Sequence, residues 1–464
     1  MISGELEDVR PTDEFPATTS TGELALVKEV GRYRGQHRSL RRYDRQRKIA
    51  WYVSLVCRLA ILPFTRTEAY GRYHTRTQLP AAPGAHETHK FLRYGSTRWR
   101  YALVCLFVTF SIGSLYGMWR VFTKSWVWYP LLAVLAINVL WTIFTALVTF
   151  RRPAYAHDAV LNTLDKRRDH PSVDVFLPVC GEDIEILHNT FKNAAELKWP
   201  GELQVYVMDD SPESEGKIVE RIAAEYGFVH LRRPNRGEHK KGGAMNYIMP
   251  RSHGEIIAVL DADFAASPGY LEETVPYFDA PDVGIVQTSQ YFDVQSHRTE
   301  NWIARQAGVM QSMFFCWAAP GSSALDSAIC VGSSSLCRRD AIEAAGGFAN
   351  VSGGEDVVTG VACLGAGYKT IYVPLNLSKG LCPDTFASVV NQQYRWAAST
   401  YNLFFPIRGY ERICQIFWES KMTLKQRVMF MCGMLYYAQS ILGLIVRSPL
   451  LDHALVLPRA SNSR

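Results

Sequence analysis

The chain has 464 residues, a formal net charge of +6 at pH 7 and ten cysteines. This length predicts two or more structural units, and we expect no nucleic-acid partner. The cysteines form no CxxC pair, which argues against a zinc site or a disulfide framework and favours a reducing compartment. The sequence contains no GxGxxG and no GxxxxGK[ST], which argues against a dinucleotide-binding fold and a P-loop.

Residues 1–50 begin with an acidic stretch rich in Thr and Ser, followed by a basic run, Arg32–Lys48. We expect a disordered arm here. The basic run has two open interpretations: it binds anionic membrane lipid, or it is a topology signal in a disordered tail. Residues 51–100 are predicted to be an interfacial or linker segment, because the apolar Trp51–Phe64 holds Arg58 and Pro63.

Three uncharged segments predict membrane-spanning helices: Tyr101–Trp119, Trp126–Phe150 and Val428–Val446. The first two predict a transmembrane hairpin over residues 101–152. The third predicts a transmembrane helix and a short tail over residues 428–464, and residues 406–427 are expected to form interfacial helices. Basic residues flank the hairpin, which predicts a multi-pass protein of the cell (inner or plasma) membrane with its central domain in the cytoplasm. Buried core helices are the alternative interpretation.

Residues 153–405 alternate short hydrophobic stretches with helix-like ones. The pattern predicts, in chain order, strand Val173–Pro178, helix Ile184–Leu197, strand Leu203–Met208, helix Ile218–Tyr226, and strands Phe228–Leu231 and Ile256–Leu260. This alternation predicts an α/β domain with a mostly parallel sheet and helices on both faces.

Two acidic motifs directly follow predicted strands. Asp209 and Asp210 come after one strand, and Asp261 and Asp263 come after another. Ligands of open α/β sheets bind beyond the carboxyl ends of the strands, so we expect both motifs in one crevice. Carboxylates spaced like Asp261 and Asp263 can hold Mg²⁺ or Mn²⁺. Turn formation or helix capping is the alternative for each motif. A DxD nucleophile of a haloacid-dehalogenase-type phosphatase is a further one, which Ala265 weakens.

A basic stretch with a glycine pair, His239–Asn246, lies just before a helix-like segment. Its cations and backbone amides suit phosphate contact, and an ordinary basic loop is the alternative. Further along, Glu355 and Asp356 precede a predicted helix, Val357–Leu364. A carboxylate at this position can accept a proton from a hydroxyl, although helix capping would equally explain it.

Gln392, Arg395 and Trp396 are spaced i, i+3 and i+4, so they share one face of a predicted helix. That face combines an amide, a cation and a flat ring. An arginine can contact a diphosphate and a tryptophan the apolar face of a sugar, whereas plain packing is the usual role of such residues.

These motifs together resemble those of the family 2 inverting glycosyltransferases, and among them the processive membrane synthases of the cellulose synthase type. The resemblance covers about Asp174–Phe405 and rests on eight stretches: VDVFLPVCGED, VYVMDDS, HKKGGAMN, LDADF, VGIVQTSQYF, VGSSSLCRRDAI, GEDVVTG and QQYRW. It implies a GT-A glycosyltransferase fold for residues 153–405.

The resemblance also implies residue roles. Asp209 or Asp210 would contact the nucleotide of the donor, and Asp261 and Asp263 would hold Mg²⁺ or Mn²⁺ beside its diphosphate. Asp356 would be the general base, with Glu355 beside it in substrate binding. Four further positions would contact phosphates or acceptor: Lys241, Gln392, Arg395 and Trp396. Two residues depart from the family pattern: Gly354 stands where Thr is usual, and Ser211 replaces a common Gly.

The sequence therefore predicts a membrane-embedded processive glycosyltransferase that builds a β-linked polysaccharide from a UDP-sugar. Glucose is the preferred sugar because GEDVVTG is closest to the cellulose type. The expected partners are the UDP-sugar donor, the growing glycan acceptor and membrane lipid. Three spans are few for a pore, so further membrane subunits or self-association are also expected. The alternatives are a glycosyltransferase that adds one sugar to a lipid, and a catalytically silent membrane protein that binds a nucleotide or a partner.

Overall fold

The computed structural model describes residues 79–94, 99–122, 157–164, 169–293, 302–351, 353–404 and 411–433, with scattered positions between 129 and 143 and position 437. The predicted disordered arm, residues 1–50, and the apolar Trp51–Phe64 lie outside the described residues. So does most of the second predicted membrane segment, Trp126–Phe150.

Ten strands lie in two sheets. They are β1 (Val173–Val179), β2 (Leu203–Asp209), β3 (Val229–Leu231), β4 (Ile256–Val259), β5 (Phe264–Ala266), β6 (Val283–Thr288), β7 (Tyr291–Asp293), β8 (Ser335–Arg338), β9 (Lys369–Val373) and β10 (Ser378–Leu381). The large sheet has the order β3-β2-β1-β4-β8-β6-β9, and the small one has the order β5-β10-β7. In the large sheet only β8 runs antiparallel to its neighbours, β4 and β6.

The main α-helices of the described residues are α1 (Ala85–Thr88), α2 (Lys90–Tyr94), α3 (Trp99–Phe122), α4 (His157–Leu164), α5 (Ile184–Ala195), α6 (Glu213–Glu225), α7 (Lys240–Ile248), α8 (Trp302–Met313), α9 (Ala319–Ser323), α10 (Arg339–Ala344), α11 (Glu355–Ala366), α12 (Phe386–Phe404) and α13 (Glu411–Glu419). Residues 424–433 are also helical. The strands and helices predicted between Val173 and Leu260 are all present, with ends within one or two residues except for α6, which begins five residues earlier.

Each face of the large sheet is covered by helices, because successive side chains of a strand point to opposite faces. On one face Val175 and Leu177 of β1 pack with Phe191 of α5 and Ile222 of α6. On the other face Phe176 packs in a second cluster with residues of α7 and α10. The prediction of a mixed α/β fold with a mostly parallel sheet and helices on both faces is therefore confirmed.

The predicted spans have partial structural counterparts. Tyr101–Trp119 lies within α3, and only the first residues of Val428–Val446 are described. Among the described residues, no helix combines the length and the apolar character needed to cross a membrane.

Candidate active site

Carboxylates collect where β1, β2 and β4 end. These strands are parallel neighbours, with Val179 of β1 paired to Asp209 of β2, so their carboxyl ends share one edge of the sheet. Asp209 ends β2, Asp261 follows β4, and Glu182 follows β1. Burial raises the pKa of Glu182, and the nearby carboxylates of Asp261 and Asp209 raise it further. Glu182 thus lies between the two predicted motifs, and no sequence prediction included it.

Asp209 is almost completely buried and both of its oxygens accept hydrogen bonds. Oδ1 accepts from the backbone N–H of Ser211 at 2.8 Å and from the Ser211 hydroxyl. Oδ2 lies 3.0 Å from His230 Nε2 and 2.5 Å from Arg232 Nη1. Burial alone would raise the pKa of Asp209, but the hydrogen bonds from His230, Ser211 and Arg232 outweigh it and lower the pKa. Ser211, one of the two departures from the family pattern, therefore secures this carboxylate.

Asp210 contacts a different arginine. Arg233 donates to it from Nε at 2.8 Å and from Nη2, and the Gly237 N–H donates at 3.2 Å. Arg233 also donates to the backbone carbonyls of Glu238 and Lys240. Asp210 consequently orders the loop that leads into α7.

The basic stretch His239–Asn246 starts α7 instead of preceding it. The glycine pair lies inside the first turns of this helix, where a Cβ at Gly242 would overlap the Ala349 carbonyl and one at Gly243 would overlap the Glu238 carbonyl. The stretch is predicted just before a helix, and that position is wrong because its residues form the helix itself. Close packing against neighbouring backbone, which the local sequence does not reveal, requires these glycines. Because Lys241 lies in the first turn of α7, its side chain reaches the strand ends, and its Nζ lies 2.5 Å from Asp261 Oδ1.

Asp261 and Asp263 lie between β4 and β5. The backbone N–H of Asp261 donates to Ser333 Oγ at 2.9 Å, and about a third of its side chain is exposed. Asp263 is partly buried in the same turn. The ammonium of Lys241 neutralises the charge of Asp261 in this structure. The two carboxylates fit Mg²⁺ or Mn²⁺, which proteins often bind through one or two carboxylates completed by substrate phosphates. No cluster of three or more ligating side chains occurs among the described residues.

Asp356 is the second residue of α11 and lines a small, partly open pocket. The pocket is lined by Lys241, Met245, Val259, Cys330, Gly332, Ser335, Cys337, Phe348, Glu355, Asp356 and Thr359. Asp356 Oδ1 accepts the N–H of Val357 at 2.8 Å. Burial, together with the negative charge of Glu355, raises the pKa of Asp356 to about 7. A carboxyl with this pKa can take up a proton near neutral pH.

Asp356 should also make stability depend on pH. Its pKa in the fold, about 7, exceeds its value of roughly 3.9 in an unfolded chain. Its ionisation therefore costs nothing well below about pH 3.9, costs progressively more as pH rises, and has its full cost above about pH 7. We expect Asp356→Asn to raise the thermal unfolding midpoint by several degrees at pH 8 and by much less at pH 4.5. Calorimetry at both pH values measures this; a lower midpoint at pH 8 would contradict it.

The helix with Gln392, Arg395 and Trp396 is α12, as predicted. It packs against the start of α11 at its residue Ser399, one turn after Arg395 and Trp396. Ser399 is buried, and its hydroxyl donates to the Arg395 carbonyl at 2.7 Å. A Cβ added at Gly354 would overlap the Ser399 side chain. The predicted acceptor helix and the turn that carries Asp356 are therefore in direct contact.

A loop that the sequence analysis did not single out as part of the site joins these parts. Residues 331–334 precede β8, and the buried Gln287 holds them: its Nε2 donates to the carbonyls of Ser333 and Ser334, and its Oε1 accepts the N–H of Val331. Ser333 contacts Asp261, and Gly332 contacts both Lys241 and Asp356. The hydrogen bonds among these contacts link residues 44 to 91 positions apart, so local patterns could not predict them.

Known proteins were compared with this chain. The family model described as "Glycosyltransferase like family 2" matches residues 149–399, more than half of the chain, and the chain belongs to this family. Its sequence is similar to that of cellulose synthases. "Cellulose synthase 1" of Komagataeibacter xylinus is 28% identical over 67% of this chain and 20% of its own length. The "Cellulose synthase catalytic subunit [UDP-forming]" of Komagataeibacter sucrofermentans is 26% identical over 73% of this chain and 46% of its own length.

This chain therefore spans between a fifth and just under half of these two relatives. Among solved structures, a mannosyltransferase, PcManGT, from Pyrobaculum calidifontis superposes with a TM-score of 0.43 at 18% identity, over 70% of this chain and 92% of that one. S. aureus TarS gives a TM-score of 0.37 at 10% identity, over 57% and 43% of the two chains.

Proposed function

We propose that this protein is a membrane-embedded, processive, inverting glycosyltransferase that extends a β-linked glucan from a UDP-sugar. The observation that carries the proposal is the half-buried Asp356, whose pKa is raised to about 7, in a pocket that Lys241 connects to the strand-end carboxylate Asp261. Membership of glycosyltransferase-like family 2 supports the reaction class. The "UDP-forming" description of a relative supports the choice of nucleotide.

Asp356 acts as the general base. At neutral pH a substantial fraction of its carboxyl is ionised, because the pKa lies near 7, and it accepts the proton of the acceptor hydroxyl. The acceptor oxygen forms the new bond to the anomeric carbon while the bond from that carbon to the diphosphate oxygen breaks on the opposite face. UDP leaves with the bonding electron pair, and the configuration inverts.

Asp261 and Asp263 would hold Mg²⁺ or Mn²⁺, which supplies positive charge for the departing diphosphate. Their backbone is already fixed, since the Asp261 N–H is bonded to Ser333. Asp209 or Asp210 would contact the nucleotide of the donor. Asp209 and Asp210 also hold Arg232 and Arg233 at the neighbouring strand end.

The acceptor side of the site is proposed to be α12. Arg395 and Trp396 lie one turn before Ser399 and Gln392 two turns before it, and Ser399 packs on the turn leading to Asp356. A tryptophan face and an arginine near the base would keep a glycan bound between additions, and Glu355 would contact the substrate beside Asp356. Bilayer spans, contact with lipid, and further subunits or self-association for export are part of the same proposal and rest on the sequence.

The experiment is turnover by purified protein in detergent or nanodiscs, with UDP-glucose first and then other UDP- and GDP-sugars, in Mg²⁺ or Mn²⁺. We expect UDP release together with a ladder of oligomers, and loss of turnover with EDTA. Asp261→Asn should lower the rate at least about tenfold through weaker charge stabilisation of UDP. Asp282→Asn, an exposed carboxylate paired with Lys369 at the opposite edge of the sheet, is the matched control.

The products distinguish the alternatives. A single adduct on a lipid would identify a non-processive transferase. Well-folded protein that turns over none of the donors would refute the proposal and support a silent, nucleotide-binding role.

A further inference from the structure

Lys241 has an unusual set of neighbours. Its side chain is mostly buried, its Nζ donates to Asp261 Oδ1 at 2.5 Å, and it also donates to the Gly332 carbonyl at 3.2 Å. Its pKa is raised: burial alone would lower it, but the charges of Asp261 and Glu355 more than compensate. The ammonium is therefore a permanent charge inside the site.

Gly332 is where this lysine approaches the general base. Gly332 has φ +89, and a Cβ built on it would lie 2.8 Å from Asp356 Oδ2. The backbone of the loop consequently lies directly on the Asp356 carboxylate. By bonding to the Gly332 carbonyl, Lys241 fixes the surface against which this carboxylate packs.

Four titratable groups face Asp356 from four elements. Glu355 of α11 and Asp261 after β4 are negative, Cys330 is a buried thiol whose pKa burial raises to about 12, and Lys241 of α7 is the cation of the set. Burial, Glu355 and Asp261 all favour a protonated Asp356. Lys241 opposes them, as does the Val357 N–H.

We propose that Lys241 is a positioning residue that connects Asp261, the carboxylate on the sugar-donor side of the site, to the general base Asp356. It acts by its charge and by its hydrogen bond to the Gly332 carbonyl. The inference deepens the proposed function and rests on it. It differs from a direct phosphate contact for this lysine, because its effect falls on the base and not on donor affinity.

The test compares wild type with Lys241→Met, which keeps the chain length and removes the charge, and with Lys241→Arg, which keeps the charge. Rates are measured from pH 5.5 to 9 at saturating UDP-sugar. We expect the acidic limb of the kcat–pH profile of Lys241→Met to shift to higher pH by about one unit. At pH 6.5 this corresponds to about a tenfold loss of kcat, with KM for the donor changed less than about threefold.

The acidic limb of the kcat profile of Lys241→Arg should lie close to that of wild type. Lys369→Met, which removes an exposed lysine from its pair with Asp282, should leave the profile unchanged. A raised KM with an unmoved limb for Lys241→Met would overturn the inference and identify Lys241 as a phosphate ligand.

A second measurement does not need turnover. The carboxyl band of protonated Asp356 can be isolated in infrared spectra as the difference between wild type and Asp356→Asn, and then titrated in the Lys241→Met background. We expect its midpoint to rise from about 7; an unchanged midpoint would overturn the inference. If wild type transfers no sugar, the proposed function fails while this titration still decides the role of Lys241. Thermal unfolding of each variant verifies that it is folded.

Discussion

Asp356→Asn is expected to reduce sugar transfer by roughly 10²- to 10⁴-fold, the range that a positioned general base contributes. Asparagine has nearly the same shape, so the pocket around residue 356 should remain intact, but the amide cannot accept the proton of the acceptor hydroxyl. The measurement is the rate of UDP release with saturating donor and acceptor, alongside the affinity for UDP by calorimetry. We expect the rate to fall and UDP affinity to change little.

The matched control for this variant is Asp340→Asn. Asp340 also lies in the first turn of a helix, α10, but its side chain is exposed, so the control should retain wild-type activity. Transfer by Asp356→Asn at more than a tenth of the wild-type rate would exclude Asp356 as the base. Wild-type activity should itself decline as pH falls through about 7, because protonation of Asp356 removes the base.

Gly354→Thr is expected to destabilise the fold by more than about 3 kcal/mol, as a sum of backbone strain and steric overlap. Gly354 has φ +73, a conformation in which a β-branched residue is an outlier, and a Cβ there would overlap the side chain of Ser399 on α12. Chemical denaturation followed by circular dichroism measures the loss. Ser399 occupies the space that a threonine side chain at position 354 would need. This accounts for glycine here, where the synthases that the chain resembles usually have threonine.

Three variants separate the contributions. Gly353→Thr, at a neighbour with nothing within 4 Å of an added Cβ, should cost little. Gly367→Thr places threonine at φ +102 in open space and measures backbone strain alone. Ser399→Gly in the Gly354→Thr background should recover part of the loss by removing the overlapping atoms. Equal stability of Gly354→Thr and Gly353→Thr would contradict this account.

The sequence predicted the regular part of the fold well because its signals are local. β1, β2 and β4 are short apolar stretches, and Asp209 and Asp261 follow them directly. The positions of these aspartates at one sheet edge followed from the predicted parallel order. The helix with Gln392, Arg395 and Trp396 and the placement of Asp356 at a helix start are likewise present in the structure. Their catalytic and binding roles stay predictions.

What the sequence did not predict depends on contacts between distant segments. β8 inserts antiparallel between β4 and β6, and its register is set by pairing with strands about 50 and 80 residues earlier. Its preceding loop brings Gly332 to Asp356 and Ser333 to Asp261. The pairing of Arg232 with Asp209 and of Arg233 with Asp210 likewise depends on contacts between separate segments. Glu182, in contrast, could have been predicted, because it comes just after the predicted strand β1, as Asp209 and Asp261 come at the ends of β2 and β4.

His157 of α4 attaches the start of the described catalytic region to the sheet. It is 6% exposed, with Nδ1 2.8 Å from the Tyr277 hydroxyl and Nε2 2.5 Å from Glu273. Tyr277 belongs to the short helical turn before β6, and β6 begins at the edge opposite the one where β4 ends. The two contacts of His157 therefore fix the N-terminal end of α4 to the segment that leads into β6, at the end of the sheet remote from the strand-end carboxylates.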